Sequence, residues 1–188
     1  MIFQAIDILK QELNLNLTSP LIKSDYGNIS EILNDPNNNG SDADIIISLI
    51  NIEENRISRD PHNYVRKLDG SIVLKNPAIH LYLTLLFTSI KREGYGIAIK
   101  NLQAVIGYFQ KKFVYDHANT PGLDAGIERL ILDMVSLNLQ QLHEIWTVLG
   151  GRYFPSVVYR MRMVTIDNID DGKPGPLITQ IETDYYSI

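Results

Sequence analysis

Apolar side chains at Ile2, Ile6, Leu9 and Leu13 recur at helical spacing, with Gln4, Asp7, Lys10 and Gln11 between them, and predict an amphipathic helix over residues 2–17. Ser30 to Asn34 adds one further turn, and Asp35 to Asp42, rich in asparagine with Pro36 and Gly40, is a loop. From Ala43 the period changes. Ile45, Ile46, Ile47, Leu49, Ile50 and Ile52 are nearly continuous, which predicts a strand covered on both faces and central in its sheet. Residues 55–76 are polar, and Asp69 with Gly70 suits a hairpin turn, so Tyr64 to Lys75 is expected as an excursion from the sheet. Ala78 to Ile90 alternates, with Ile79, Leu81, Leu83, Leu85 and Phe87 inward and His80, Tyr82, Thr84 and Thr88 on the other face; it pairs most simply antiparallel to the first strand. After Gly94 and Gly96, the positions Ile99, Leu102, Val105, Ile106, Phe109 and Phe113 mark a long helix with Lys111 and Lys112 near its negative end. Tyr115 to Gly126 reads as a loop opening with a short edge strand. Ile127 to Leu137 is then a strand, with Leu130, Leu132 and Met134 set against Ile131, Val135 and Leu137.

The stretch 139–163 has the sharpest punctuation. Leu139, Leu142, Ile145, Trp146 and Leu149 lie on one face of a short helix. Asn138 stands at its N-cap and Gln141 three residues on, which is the spacing of a capping box. Gly150 supplies a left-handed stop, Gly151 lets the chain turn back, and Pro155 belongs just before a strand because it cannot donate to a ladder. In that strand Val157, Tyr159, Met161 and Met163 take one side and Val158, Arg160, Arg162 and Val164 the other.

The sequence of elements predicts an α+β fold: a mixed, mainly antiparallel sheet with helices packed on it and a C-terminal arm. Residues 1–167 form one domain in this reading. Residues 168–188 are a flexible connector, around Lys173, Pro174, Gly175 and Pro176, followed by an arm whose Ile178, Thr179, Ile181, Thr183, Tyr185 and Tyr186 have strand propensity.

With 188 residues, 45% hydrophobic and 21% charged, the chain has the make-up of an ordinary soluble domain, and a formal net charge of −5 gives no basic footprint for nucleic acid. The absence of cysteine excludes disulfides, a thiol nucleophile and thiolate metal sites, and suits assembly in a reducing cytoplasm. The N-terminus does not read as a signal peptide, and the run Ala78 to Ile90 is too short to span a membrane, so direct membrane insertion is not expected. The four histidines, His62, His80, His117 and His143, have no second ligand at i+2 to i+4. Asp116 beside His117 reads as a solvated loop pair, and Gly94-Tyr95-Gly96 lacks the third glycine of a dinucleotide fingerprint. Neither catalytic residues nor a metal or cofactor site is expected. Arg160 and Arg162, on a strand otherwise rich in Val, Tyr and Met, need carboxylates or solvent; their functional reading is an ion pair between subunits.

Three blocks together carry a family likeness: residues 145–162 (IWTVLGGRYFPSVVYRMR), 1–13 (MIFQAIDILKQEL) and 44–54 (DIIISLINIEE). Taken in chain order they resemble the N-terminal domain of the cap, or tail-terminator, proteins of phage-tail-like contractile injection systems. The resemblance implies a structural protein: a closed homo-oligomeric ring, hexameric on a six-fold tube, that ends the inner tube and sheath. Its partners would be the tube and sheath proteins of the same particle. It would be made and assembled in the cytoplasm, in a particle that is released or membrane-associated. The competing reading is a small ligand-binding domain or enzyme whose site no motif marks. For the ring, the candidate contacts are the excursion at Tyr64 to Lys75, the corner Arg152, Tyr153, Phe154, Pro155 and Ser156, and the pair Arg160 and Arg162. The arm, with Ile178, Ile181, Tyr185 and Tyr186, is expected to add as a strand to a neighbouring subunit.

Overall fold

The computed structural model describes residues 1–17, 21–34, 42–55, 64–66, 72–76, 80–90, 94–165 and 168–174. The first helix, α1 (Ile2–Asn16), follows the predicted period and buries Ala5, Ile6, Ile8, Leu9 and Leu13. It is followed by β1 (Ser24–Tyr26), the short helix α2 (Ile29–Asn34), and β2 (Ile45–Glu54). Next come β3 (Tyr64–Arg66), β4 (Ile72–Asn76) and β5 (Leu81–Ser89). The long helix α3 (Tyr95–Lys111) leads to β6 (Val114–Asp116) and β7 (Ile127–Val135), then α4 (Leu139–Val148), β8 (Ser156–Thr165) and β9 (Asn168–Pro174).

Six strands form the main sheet in the order β1-β2-β5-β8-β7-β6, antiparallel except for the parallel pair β1 and β2. One face carries the larger core. There Phe87, Phe109 and Tyr159, from β5, α3 and β8, stack edge-on with ring centroids 4.9 to 5.6 Å apart, and α1 adds its apolar stripe. On the opposite face α2 and α4 close over Ile46, Leu86 and Val158 with Ile29 and Trp146. That cover reaches only half of each strand. The far half of this face presents Arg160, exposed, and Arg162, half-buried, across from Thr84 and Tyr82. Helices on both faces also explain why β5 departs from alternation, with Leu86, Phe87, Thr88 and Ser89 all buried.

β3 and β4 pair antiparallel in a second sheet, order β3-β4-β9, as an excursion from the main sheet should; the turn at Asp69 and Gly70 lies outside the described residues. Several expectations need correction. Residues 168–174 are not a connector but β9, paired antiparallel with β4. Asp170, Asp171 and Gly172 have poor strand propensity, yet pairing overrides it, and Pro174 is tolerated because β9 is an edge. β2 is second from the edge rather than central, because β1 lies outside it, and its far half is exposed, Leu49 and Ile52 included. In α3 the buried stripe runs through Ala98, Asn101, Leu102, Val105 and Phe109, which leaves Ile99 in solvent; Phe113, expected on this helix, lies beyond its end and is exposed. Met134 and Leu139, expected to pack, are exposed as well.

Candidate functional site

The corner between α4 and β8 is built as its sequence punctuation requires. Asn138 Oδ1 accepts from the Gln141 amide at 2.8 Å and Gln141 Oε1 accepts from the Asn138 amide at 3.0 Å, which starts α4. Gly150 and Gly151 both have positive φ, 106° and 75°, and the Gly151 amide donates back to the Trp146 carbonyl at 2.7 Å. The chain then reverses, and the Pro155 carbonyl accepts from Ser89 at 3.0 Å, which fixes the entry of β8 beside β5. Trp146 is 4% exposed and sits between Tyr153 and Phe154, at centroid distances of 5.9 and 6.2 Å. Its indole Nε1 has no hydrogen-bond partner among the described residues. Tyr153 and Arg152 are exposed, while Phe154, Pro155 and Ser156 are half-buried. A groove of about 230 Å³ opens beside Trp146, between Leu142, His143 and Tyr153. The exposed Tyr153 ring and the groove beside Trp146 offer an aromatic surface to a contact from outside.

The structure separates the arginines from this corner along β8. Arg160 lies over the Tyr82 ring at 5.5 Å, and the buried Nε of Arg162 has no partner among the described residues. Among the described residues neither guanidinium has a carboxylate within ion-pair distance. Ile178, Ile181, Tyr185 and Tyr186 lie outside the described residues.

A polar cluster that residue patterns did not mark joins α1 to α3. Glu12 of α1 accepts from the Tyr108 hydroxyl at 2.5 Å and from Lys112 Nζ at 2.9 Å, which ties α1 to the end of α3. Lys112 also donates to the Asn119 carbonyl and covers the Tyr115 ring. Burial first, and the Glu12 carboxylate second, push the Tyr108 hydroxyl well above the usual range; burial does the same to Tyr115. These phenols stay protonated as donors, and the cluster is a brace between helices.

Asparagine amides seal the ends of the main sheet. Asn14 accepts from the Ser24 amide at 2.6 Å and donates to the Ser24 carbonyl at 3.0 Å, as a neighbouring strand would. Asn119 does the same for β6, donating to the Val114 carbonyl at 3.1 Å and accepting from the Asp116 amide at 3.2 Å. On β2 the exposed Asn51 accepts from the Ile52 amide at 2.9 Å, next to a bulge.

Among the described residues no group of three or more His, Asp or Glu side chains could hold a metal ion, and no helix is long and apolar enough to cross a membrane. Residues 4–180 match the model of the Pvc16 N-terminal domain family. Among solved structures, the chain is similar over its whole length to the sheath/tube terminator of an extracellular contractile injection system, PVC, in the extended state. The TM-score is 0.59 and the identity 15%. It is also similar over 74% of its length to the tube-terminating cap of the anti-feeding prophage, with a TM-score of 0.50 and 18% identity. The chain spans 64% of the first of these proteins and 48% of the second. No curated protein sequence matches.

Proposed function

The chain belongs to the Pvc16 N-terminal domain family, and from that premise we propose that it caps a contractile injection particle, forming a ring that ends the inner tube and the sheath. The observation that supports this most is the similarity of the whole chain, sheet and helices together, to a sheath/tube terminator. The site agrees with a contact role. Among the described residues Trp146 Nε1 and Arg162 Nε are buried donors without partners, and Arg152, Tyr153 and Arg160 are exposed along the same stretch. We assign the corner Arg152 to Ser156 and the pair Arg160 and Arg162 to contacts with neighbouring subunits, cap, tube or sheath, whose carboxylates would meet the exposed guanidiniums of Arg152 and Arg160. Ile178, Ile181, Tyr185 and Tyr186 belong to an arm that adds as a strand to a neighbouring subunit. A six-fold tube sets six copies in the ring. The protein is made in the cytoplasm, carries no catalytic step, and leaves with the particle.

The test is assembly. Particles made without this chain should show tubes and sheaths of uncontrolled length, and adding the purified protein back should restore blunt, capped ends in negative-stain images. Normal particle ends in its absence, or a monomer that turns over a small molecule, would remove the proposal.

A further inference from the structure

A closed ring of identical subunits needs two unlike patches on opposite sides of each copy, and the main sheet has two unlike edges. β1 flanks only Ile45 to Ile47 of β2, the half level with Phe87 to Ser89. β6 flanks only Arg129 to Ile131 of β7, level with Arg162 to Val164 at the other end of the strands. Each edge is therefore a step, with its shoulder in opposite halves of the sheet. Among the described residues no strand covers Leu49 to Glu53 below the β1 shoulder, or Asp133 to Val135 above the β6 shoulder.

Large apolar side chains are exposed along both steps. Phe3, Tyr26, Leu49 and Ile52 lie on the β1–β2 side, and Phe113 and Met134 on the β6–β7 side. Each step also holds an open groove, about 420 Å³ beside Tyr26 and Leu49 and about 400 Å³ beside Phe113 and Met134. We propose that these edges mate between copies, so that the β1–β2 step of one subunit receives the β6–β7 step of the next; this rests on the ring reading above.

The registers commit the occupant to a second copy of this chain. With the sheets continued in one orientation, a slide of two residues, about 7 Å along the strands, sets Tyr26 of one copy beside Met134 of its neighbour. The same slide carries the β6 shoulder into the space beside Leu49. Tyr26 shares the face of Ile47, and Met134 that of Tyr159, so both belong to the face that carries the larger core. An aromatic ring against a thioether is a favourable contact there. The asparagine seals fit the same arrangement. Asn14 and Asn119 already satisfy outward amides of the β1 and β6 shoulders, and Asn51 that of Ile52 in the β2 step, so side chains can meet there with few orphaned backbone groups. Arg129, exposed on the β7 side, meets the row of exposed Glu53, and Asp116 between them is already engaged by the amides of Ala118 and Asn119.

The chain has no cysteine, so engineered pairs report without background. Two double variants, Tyr26→Cys with Met134→Cys and Leu49→Cys with Phe113→Cys, are bridged by oxidation or a short bis-maleimide. Folding is checked by thermal melts, and oligomer size by light scattering and at tube ends. The edges mate if both doubles give a covalent ladder that ends at the ring's copy number while each single variant gives none. Tyr26→Glu combined with Met134→Glu should weaken assembly at least tenfold with the melt unchanged. Rings that assemble while neither double cross-links overturn the edge contact and leave the ring intact. A wild type that stays monomeric in solution and at tube ends overturns both.

Discussion

Arg160 on β8 stands directly opposite Asp133 on β7, yet no ion pair joins them: the guanidinium lies over the Tyr82 ring on the other side, 5.5 Å from its centroid. An exposed pair across a sheet gains little in water, and a cation over a ring gains about as much. Arg160→Ala should therefore cost less than about 1 kcal/mol of folding stability. Arg162→Met, which removes a buried Nε without a partner and keeps the aliphatic stem, should be neutral or stabilising by up to about 1 kcal/mol. Both should weaken binding to tube or sheath. Urea titrations measure the first effect and pelleting with particles the second; a large loss of stability with normal binding would place the arginines inside a network of the fold.

Asn138→Ala removes one half of the reciprocal bonds that start α4 and should destabilise by about 1 kcal/mol, a fall in Tm of about 2 to 4 °C for a chain of this size. Asn138→Asp retains the acceptor and should recover most of that loss. Calorimetry on the two variants checks the pair.

Stability should decline in alkali. Tyr108, Tyr115 and Tyr159 all have hydroxyls raised by burial, and Tyr108 also donates to Glu12. A raised folded pKa means that above the unfolded value of about 10 the unfolded chain releases protons that the folded chain keeps, so unfolding is favoured as pH rises. The contribution is complete below that pH. Urea midpoints between pH 8 and 11 should be flat at first and then fall, and Tyr108→Phe should reduce the fall.

The seals can be opened one at a time. Asn119→Ala frees the Val114 carbonyl and the Asp116 amide, and Asn14→Ala frees both backbone groups of Ser24. Each should lose about 1 kcal/mol and form light-scattering aggregates at concentrations where the wild type stays clear. Unchanged solubility would mean that the amides guard nothing.

Removing residues 177–188 should leave the melt of the domain unchanged while the truncated cap fails to hold the last sheath ring. Normal capping by the truncation would exclude the arm.

Much of this fold could be read from local chemistry. The capping box at Asn138, the glycine pair at Gly150, and the alternation of Val157 to Val164 are decided by neighbours in sequence, and the structure keeps all three. What was not legible depends on distant partners. β1 exists because Asn14 and β2 hold three residues, Ser24 to Tyr26, that carry no pattern of their own. β9 exists because β4 offers it an edge. Met134 and Phe113 look like core residues in any window, yet both stand beyond the paired residues of β6 and β7 and are exposed. The site divides the same way. The corner at Tyr153 was visible as an aromatic pair before a proline, whereas the orphaned indole of Trp146 beneath it required the packed structure.

In the capping role proposed above, an end-piece has to wait. Subunits that finish a tube are present while it is still growing, at concentrations high enough to act when its length is reached, and in that interval an unguarded sheet edge would pair with any exposed strand it met. Asn14 and Asn119 let β1 and β6 pass that interval as inert surfaces. In the ring proposed above neither seal has to open, because one copy meets the next through the side chains of the two steps and the backbone of β1 and β6 stays closed throughout.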